Sequence, residues 1–417
     1  MFYPVRYILR FFTPDRPIPP ELKRNFIHLY FDIGWFGVLT GTTLAFLSVF
    51  ATRIQASGQQ IGLISAGPAV VNLLFTLPAG ILLAKYNVNK SIFWASVLNR
   101  MFYAVLIFLP LFGQNDFSIR LIILSTLVMN IPGSVLSVGF TVFFGDAVPS
   151  EWRSMVAGIR NAVVGLVTMV FTLISGQILK NFPLEIGYAI VFAIGFLGAA
   201  MSSFHLYKVK PVRVPVIEEA QKELPPVIKP QSRLNLSILR GNFGKVVGLL
   251  LIFHFFQFLP NAIFPIFLIN HLGLDEQNIS IGATLFYMMQ FIISLRLDPL
   301  VRRSNNLKVM GIGMILYGFY PLFLPFCSNA WFFYGVSAVG GLAMGLLGGV
   351  LLNYLLERMA ENDRPAHMVL YNLGLNTAVL GGSLLGPALA GWFGFVPALI
   401  ISAIGRSLIG AAILRWG

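Results

Sequence analysis

Apolar residues run in long blocks along this chain, and polar residues gather in short breaks between them. A bilayer with ~30 Å of hydrocarbon needs ~20 apolar residues per crossing helix, at ~1.5 Å each. Twelve blocks meet that length: 25–50, 60–85, 91–112, 117–144, 154–179, 186–207, 243–270, 279–300, 307–326, 331–356, 366–393 and 397–414. The pattern predicts an all-α integral membrane protein of twelve transmembrane helices, with nearly the whole chain in or beside the lipid.

Composition agrees, because 57% of the 417 residues are hydrophobic and 11% charged, with a mean hydropathy of +0.79. The formal net charge of +13 invites a nucleic-acid or anionic partner until the Lys and Arg residues are sorted by side. Only Arg53, Arg120 and Lys180 fall on one side, and Arg100, Arg160, Arg296 and Arg406 lie within spans. The remainder share the side that carries both termini, so the excess is an orientation signal. Both termini are expected in the cytoplasm, in the cell (inner) membrane, with no nucleic-acid partner. The first residues form a basic, aromatic and proline-containing lead-in, without the small-residue cleavage site of a signal peptide. Cys327 stands alone, which excludes an internal disulfide and a cysteine metal cluster.

The longest break, residues 208–242, is rich in Pro and in both charges and divides six spans from six. The expected organisation is a cytoplasmic segment 1–24, a bundle 25–207, a linker 208–242 and a second bundle 243–417. Two offsets suggest duplication of the halves. At 211, Asp146 matches Glu357, Arg153 matches Arg364 and Asn161 matches Asn372. At 218, "KYNVNK" from Lys85 lies over "RSNNLK" from Arg303, which aligns Lys90 with Lys308.

Twelve spans in two sixes, a long middle linker and basic second turns in each half resemble the major facilitator superfamily. The family's signature after the second span is degenerate here: "GILLAKYNVNK" keeps Gly80, Lys85 and Lys90, with Ala84 in place of an Asp and Asn87 in place of a Gly. Span five lacks the Gly-Pro element of the family's drug antiporters. The resemblance implies two rocking six-helix bundles, with spans one, four, seven and ten lining a central cavity.

Polar stripes supply substrate-binding candidates. Asn130, Ser134 and Ser137, followed by Thr141, share one face of span four; His254, Gln257 and Asn261 do so in span seven, beside Pro260 and Pro265. The competing reading of each is interhelical hydrogen bonding. Ionisable residues in spans are costly and therefore functional candidates. His28, Asp32 and Arg100 form a coupling or structural ion-pair set, with Asp32 expected to pair with Arg100 or His28. Arg160 is expected near Asp146 or the cavity mouth, and Arg406 is expected to snorkel. Gly80, Lys85, Lys90, Asp146, Arg153, Arg303, Lys308, Glu357 and Arg364 are cytoplasmic gate candidates, the solvated turn pair being the alternative. The glycines of spans ten and eleven suit close approach and a moving interface.

No nucleotide-binding loop or metal-ligand spacing occurs in the sequence, so neither a cofactor nor ATP-driven pumping within this chain is expected. The reading is a monomeric secondary transporter of a small polar or amphiphilic organic solute, working by alternating access, with a coupling proton as a candidate partner. Proton-coupled export of amphiphiles, drugs or lipids is the alternative, and a membrane-embedded enzyme the remote one.

Overall fold

The computed structural model describes residues 18–112, 116–211, 241–359 and 364–417. Among them every regular element is a helix, and twelve helices are long and apolar enough to cross a membrane. In the N-terminal half these are α1 (Leu22–Arg53), α2 (Gly58–Leu83), α3 (Val88–Phe112), α4 (Asp116–Ala147), α5 (Met155–Asn181) and α6 (Leu184–Lys208). The second half holds α7 (Phe243–His271), α8 (Glu276–Leu297), α9 (Asn306–Phe326), α10 (Ala330–Leu356), α11 (His367–Phe393) and α12 (Phe395–Trp416). Most of the expected lead-in and linker, residues 1–17 and 212–240, lies outside the described residues.

Capping side chains, rather than hydropathy, set several helix starts. Ser57 accepts from the Gln60 amide and Gln60 returns the bond, so α2 begins before its apolar run. Asp275 caps α8 by accepting from the backbone and side-chain N–H groups of Asn278, without a return bond. Asn87 caps α3 through the Lys90 amide, and Asn305 caps α9 through that of Lys308. These two asparagines belong to the six-residue stretches that match across the halves.

Packing repeats as the sequence does. In the first half α1 lies on α5 and α6, α2 on α4, and α3 on α4 and α6. In the second, α7 lies on α11 and α12, α8 on α10, and α9 on α10 and α12. Adding six to each label converts one set into the other. The bundles meet mainly through α2 with α11 and α5 with α8, which is again a symmetric pair. At those seams Gly62 faces Pro387 and Gly176 faces Ser280.

An even number of crossings returns the chain to its starting face, here the terminal face. One apolar cluster fills the opposite half of the molecule and includes both bundles, joining Ile61, Leu179 and Phe192 with Leu259, Ile279 and Ala390. Toward the terminal face the core splits. Phe26, Phe143 and Trp152 belong to a cluster of the first bundle alone, and Met310, Val350 and Tyr354 to one of the second. The bundles are therefore joined at the opposite face and part toward the terminal one.

Small residues set the tight crossings. A Cβ on Gly341 of α10 would overlap the Phe286 carbonyl of α8, and one on Gly386 of α11 would overlap the Leu259 carbonyl of α7. Close approach through the glycines of α10 and α11 is thus present. Those of α11, however, pack Gly374, Gly382 and Gly386 against α7 inside one bundle rather than at a moving interface. Gly341→Ala should lower the melting temperature of the purified protein, at a cost of about 1–3 kcal/mol from overpacking. Gly165→Ala, whose new Cβ meets nothing within 4 Å, should be neutral or gain up to about 1 kcal/mol of helix propensity; equal losses in both would contradict this packing.

Candidate functional site

At the opposite face a strut joins the two bundles. Arg53, at the end of α1, reaches Glu276 at the start of α8 with Nε 2.8 Å from Oε1 and Nη2 3.2 Å from Oε2. Its Nη2 also donates to the Leu274 carbonyl at 3.1 Å, and the Tyr188 hydroxyl of α6 donates to Glu276 at 3.1 Å. A bidentate, partly buried pair of this kind has directionality that an exposed pair lacks. Nearer the middle, Asn72 of α2 donates to Asn376 of α11 at 3.4 Å. Beyond that contact, Leu74, Leu77 and Ile81 of α2 are exposed.

The wall from the first bundle is organised by Asp32 of α1, which is 3% exposed. Arg160 of α5 donates Nη1 to Asp32 Oδ2 at 3.1 Å and to the Leu29 carbonyl at 2.7 Å. Ser202 of α6 donates to the other carboxylate oxygen, and Arg100 Nη2 of α3 lies 4.0 Å from it. Arg100 is held chiefly by the Ser96 and Ser203 hydroxyls, at 3.0 and 2.7 Å. The expected Asp32–Arg100 pair is therefore the longer contact, and the direct partner is Arg160, which turns inward rather than toward Asp146. His28 does not join this cluster. Its Nδ1 lies 3.0 Å from Nδ1 of His205 on α6.

The other wall carries His254 of α7, 5% exposed. Its Nδ1 lies 2.9 Å from Gln257 Oε1 and its Nε2 2.9 Å from the Tyr371 hydroxyl of α11. Tyrosine donating to Nε2 and Nδ1–H donating to Gln257 form one consistent assignment, which leaves the Gln257 amide nitrogen as an outward donor. Asn261 is half-buried in the turn that Pro260 opens, where its backbone N–H donates to the Phe258 carbonyl at 3.1 Å.

Pro260 and Pro321 have no N–H, so the carbonyls four residues earlier, Phe256 and Tyr317, lose their helical donors. Arg406 of α12 supplies the replacement. It donates to Phe256 at 3.3 Å, Tyr317 at 3.2 Å and Gln257 at 2.7 Å, and lies over the Tyr317 ring at 4.5 Å. Ser402 gives the Phe256 carbonyl a second bond at 2.7 Å. At 0% exposure Arg406 is a buried bolt between α7, α9 and α12 and does not snorkel.

The span-four stripe divides. Asn130 is half-buried and donates to the Thr126 carbonyl at 2.6 Å; Ser134, 1% exposed, donates to that of Ile131 at 2.8 Å. Ser137 and Thr141 are exposed. The gate candidates lie at the terminal face with their recorded bonds inside their own bundles. Arg153 closes the end of α4 by donating to Val148 and Gly145, each at 3.0 Å. Glu357 accepts from Asn306 and lies 3.6 Å from Arg358. Lys85, Lys90, Asp146, Arg303 and Lys308 are exposed, a Cβ on Gly80 meets nothing within 4 Å, and the Arg364 side chain lies outside the described residues.

Sequence reasoning missed the Arg53–Glu276 strut, the Arg160–Asp32 contact, His205 and the carbonyl cage of Arg406. Arg53 had a signal, as one of only three cations on its side of the membrane. Arg406 had another, since two intrahelical prolines each require an outside donor.

Major Facilitator Superfamily matches cover residues 33–259 and 246–416. The nucleoside transporter NupG shares the fold with a TM-score of 0.67 at 13% identity, over 95% of this chain and 99% of that one. The xylose transporter XylE from E. coli, inward open, gives 0.69 at 13% identity over 95% and 96%. A D-xylose-proton symporter gives 0.69 at 13% identity over 94% and 97%. No curated protein matches the sequence.

Truncating Asp32 to Ala leaves Arg160 and Arg100 without their carboxylate, and should cost about 3–5 kcal/mol as an uncompensated buried charge. Adding Arg160→Met should recover part of that loss, because the unpaired cation is then gone. Thermal unfolding of the three proteins in one detergent measures this; equal melting temperatures would contradict the pairing.

Proposed function

The chain belongs to the major facilitator superfamily, and on that premise we propose that it moves a small polar organic solute across the cell membrane by alternating access. Membership makes it a multi-pass secondary transporter rather than an enzyme. The observation that supports the mechanism is the unequal closure of the cleft, sealed at one face by Arg53, Glu276 and the α2–α11 and α5–α8 seams and divided at the other into two separate cores. With the termini cytoplasmic, as the distribution of Lys and Arg indicates, this is the inward-facing state. The gate candidates at the terminal face, whose hydrogen bonds run within their own bundles, would approach one another when the bundles rock the other way.

Binding is assigned to groups that remain available on the two walls. These are the Gln257 amide held in place by His254 and Tyr371, Asn261 beside the broken turn of α7, and Asn130 and Ser137 of α4. Ser134 acts behind them by fixing the helix. Xylose and nucleosides, the solutes named for the structural neighbours, supply first probes.

A proton-coupled mode is the second reading, favoured by His28 and His205. Two imidazole nitrogens at 3.0 Å accommodate one shared proton but repel when both rings are charged, so protonation acts on the α1–α6 contact. Asp32 is less suited to carry that proton, because both its oxygens already bind α5 and α6.

Replacing His254 and Gln257 together by Leu removes the polar anchor of the second wall while keeping apolar volume. Solute uptake into proteoliposomes should fall at least about tenfold, as expected for loss of a hydrogen bond or two to the solute, with an unchanged size-exclusion profile. Wild-type uptake by the double variant would remove both residues from the site.

A further inference from the structure

Arg160 and Tyr30 carry unused hydrogen-bonding capacity that nothing in the transport scheme yet employs. Arg160 is 8% exposed, and both of its protein hydrogen bonds come from Nη1, to Leu29 and Asp32. The Nε and Nη2 donors form the other edge of the guanidinium, and among the described residues the bonds of the group run through Nη1. Two parallel N–H groups on such an edge match the two oxygens of a carboxylate or phosphate. Phe140 of α4 lies against the group, with Cζ 4.9 Å from the ring centroid, and limits how it can turn. Asp32 fixes the opposite corner.

Tyr30 follows Leu29 on α1 and lies within electrostatic reach of Arg160. Its hydroxyl is buried and has no hydrogen-bond partner among the described residues, which leaves a donor that the bilayer cannot satisfy. A phenol is a good donor to an oxyanion and needs no charge of its own to serve as one.

The wider charge balance points the same way. Among the described residues, the buried charged groups of the spans are three guanidinium groups, Arg100, Arg160 and Arg406, and one carboxylate, Asp32. Carbonyl dipoles solvate Arg406 without cancelling its charge. A cleft with low-dielectric walls and a surplus of one sign concentrates solutes of the other. The neutral amide of Gln257 on the facing wall suits the uncharged body of such a solute.

We infer that the transported solute carries a carboxylate or phosphate group, received by the Nε–Nη2 edge of Arg160 and the hydroxyl of Tyr30. This rests on the transporter reading above and names the chemical class of its substrate.

The test is ligand-induced thermal stabilisation of the purified full-length chain at constant ionic strength, using matched charged and neutral probes. Succinate is compared with succinamide, benzoate with benzamide, and glucose 6-phosphate with glucose; inorganic phosphate and uridine are included. At least one oxyanion should raise the melting temperature where its neutral counterpart does not. Tyr30→Phe, which breaks no protein bond, should weaken that binding about tenfold, and Arg160→Lys, which keeps a cation for Asp32, about a hundredfold. Equal stabilisation by the neutral probes, unchanged affinity in Tyr30→Phe, or no preference for any oxyanion overturns the inference. Binding of glucose or uridine alone, lost in Gln257→Leu, overturns it while sparing the transporter reading. Oxyanion binding that never yields uptake in proteoliposomes leaves the binding site standing and overturns transport.

Discussion

Inside a bilayer no water is present to satisfy a polar group, and the rest of this structure follows from that constraint. It requires helices, and it makes each interruption of a helix an obligation on some neighbour. Pro260 and Pro321 release two carbonyls, and Arg406 takes both together with the Gln257 carbonyl. Gln257 is thereby tied through its backbone to α12 and through its side chain to His254. The broken part of α7 is thus held in place by α12. In the first bundle the same need gathers Asp32, Arg160, Arg100 and three serines into one buried network across α1, α3, α5 and α6.

Rigid bundles make a directed movement possible. Each has its own core at the terminal face, and the shared core lies at the opposite face. The seams between them rest on glycine and small side chains, with Gly176 against Ser280 and Gly62 against Pro387. Such surfaces separate without leaving large pockets to refill. The Arg53–Glu276 strut adds a polar contact that holds the closed face but becomes hydrated once that face opens. A partly exposed ion pair of this kind shifts an equilibrium by a modest amount and does not lock it.

The spans and their repeat were legible because lipid imposes a length and duplication preserves spacing. Asn87 and Asn305 illustrate this: they match in sequence and cap equivalent helices. Contacts across the chain were not legible. Arg160 meets Asp32 across 128 residues and Arg53 meets Glu276 across 223, and no local pattern encodes which cation reaches an acid. Helical spacing also lacked the angular resolution to separate Ser134 from Ser137. Three residues turn a helix through about 300°, which leaves one serine against its own helix and the other exposed. Arg406 was misplaced for a different reason, since snorkelling assumes that water is the nearest acceptor, whereas two proline-freed carbonyls were nearer.

The central claim is that the two faces open reciprocally about a fixed cleft. Cys327 is buried in the turn between α9 and α10, where burial pushes its thiol up to about 11, and Cys327→Ser removes it as a labelling site. Spin labels at Thr141→Cys with Leu352→Cys then report the terminal face, and labels at Lys180→Cys with Ser328→Cys the opposite face. The measurement is the pair of distance distributions by pulsed electron resonance, with and without Arg53→Ala. The account predicts that breaking the strut lengthens the opposite-face distance and shortens the terminal-face distance together. Lengthening at the opposite face with an unchanged terminal face would contradict it.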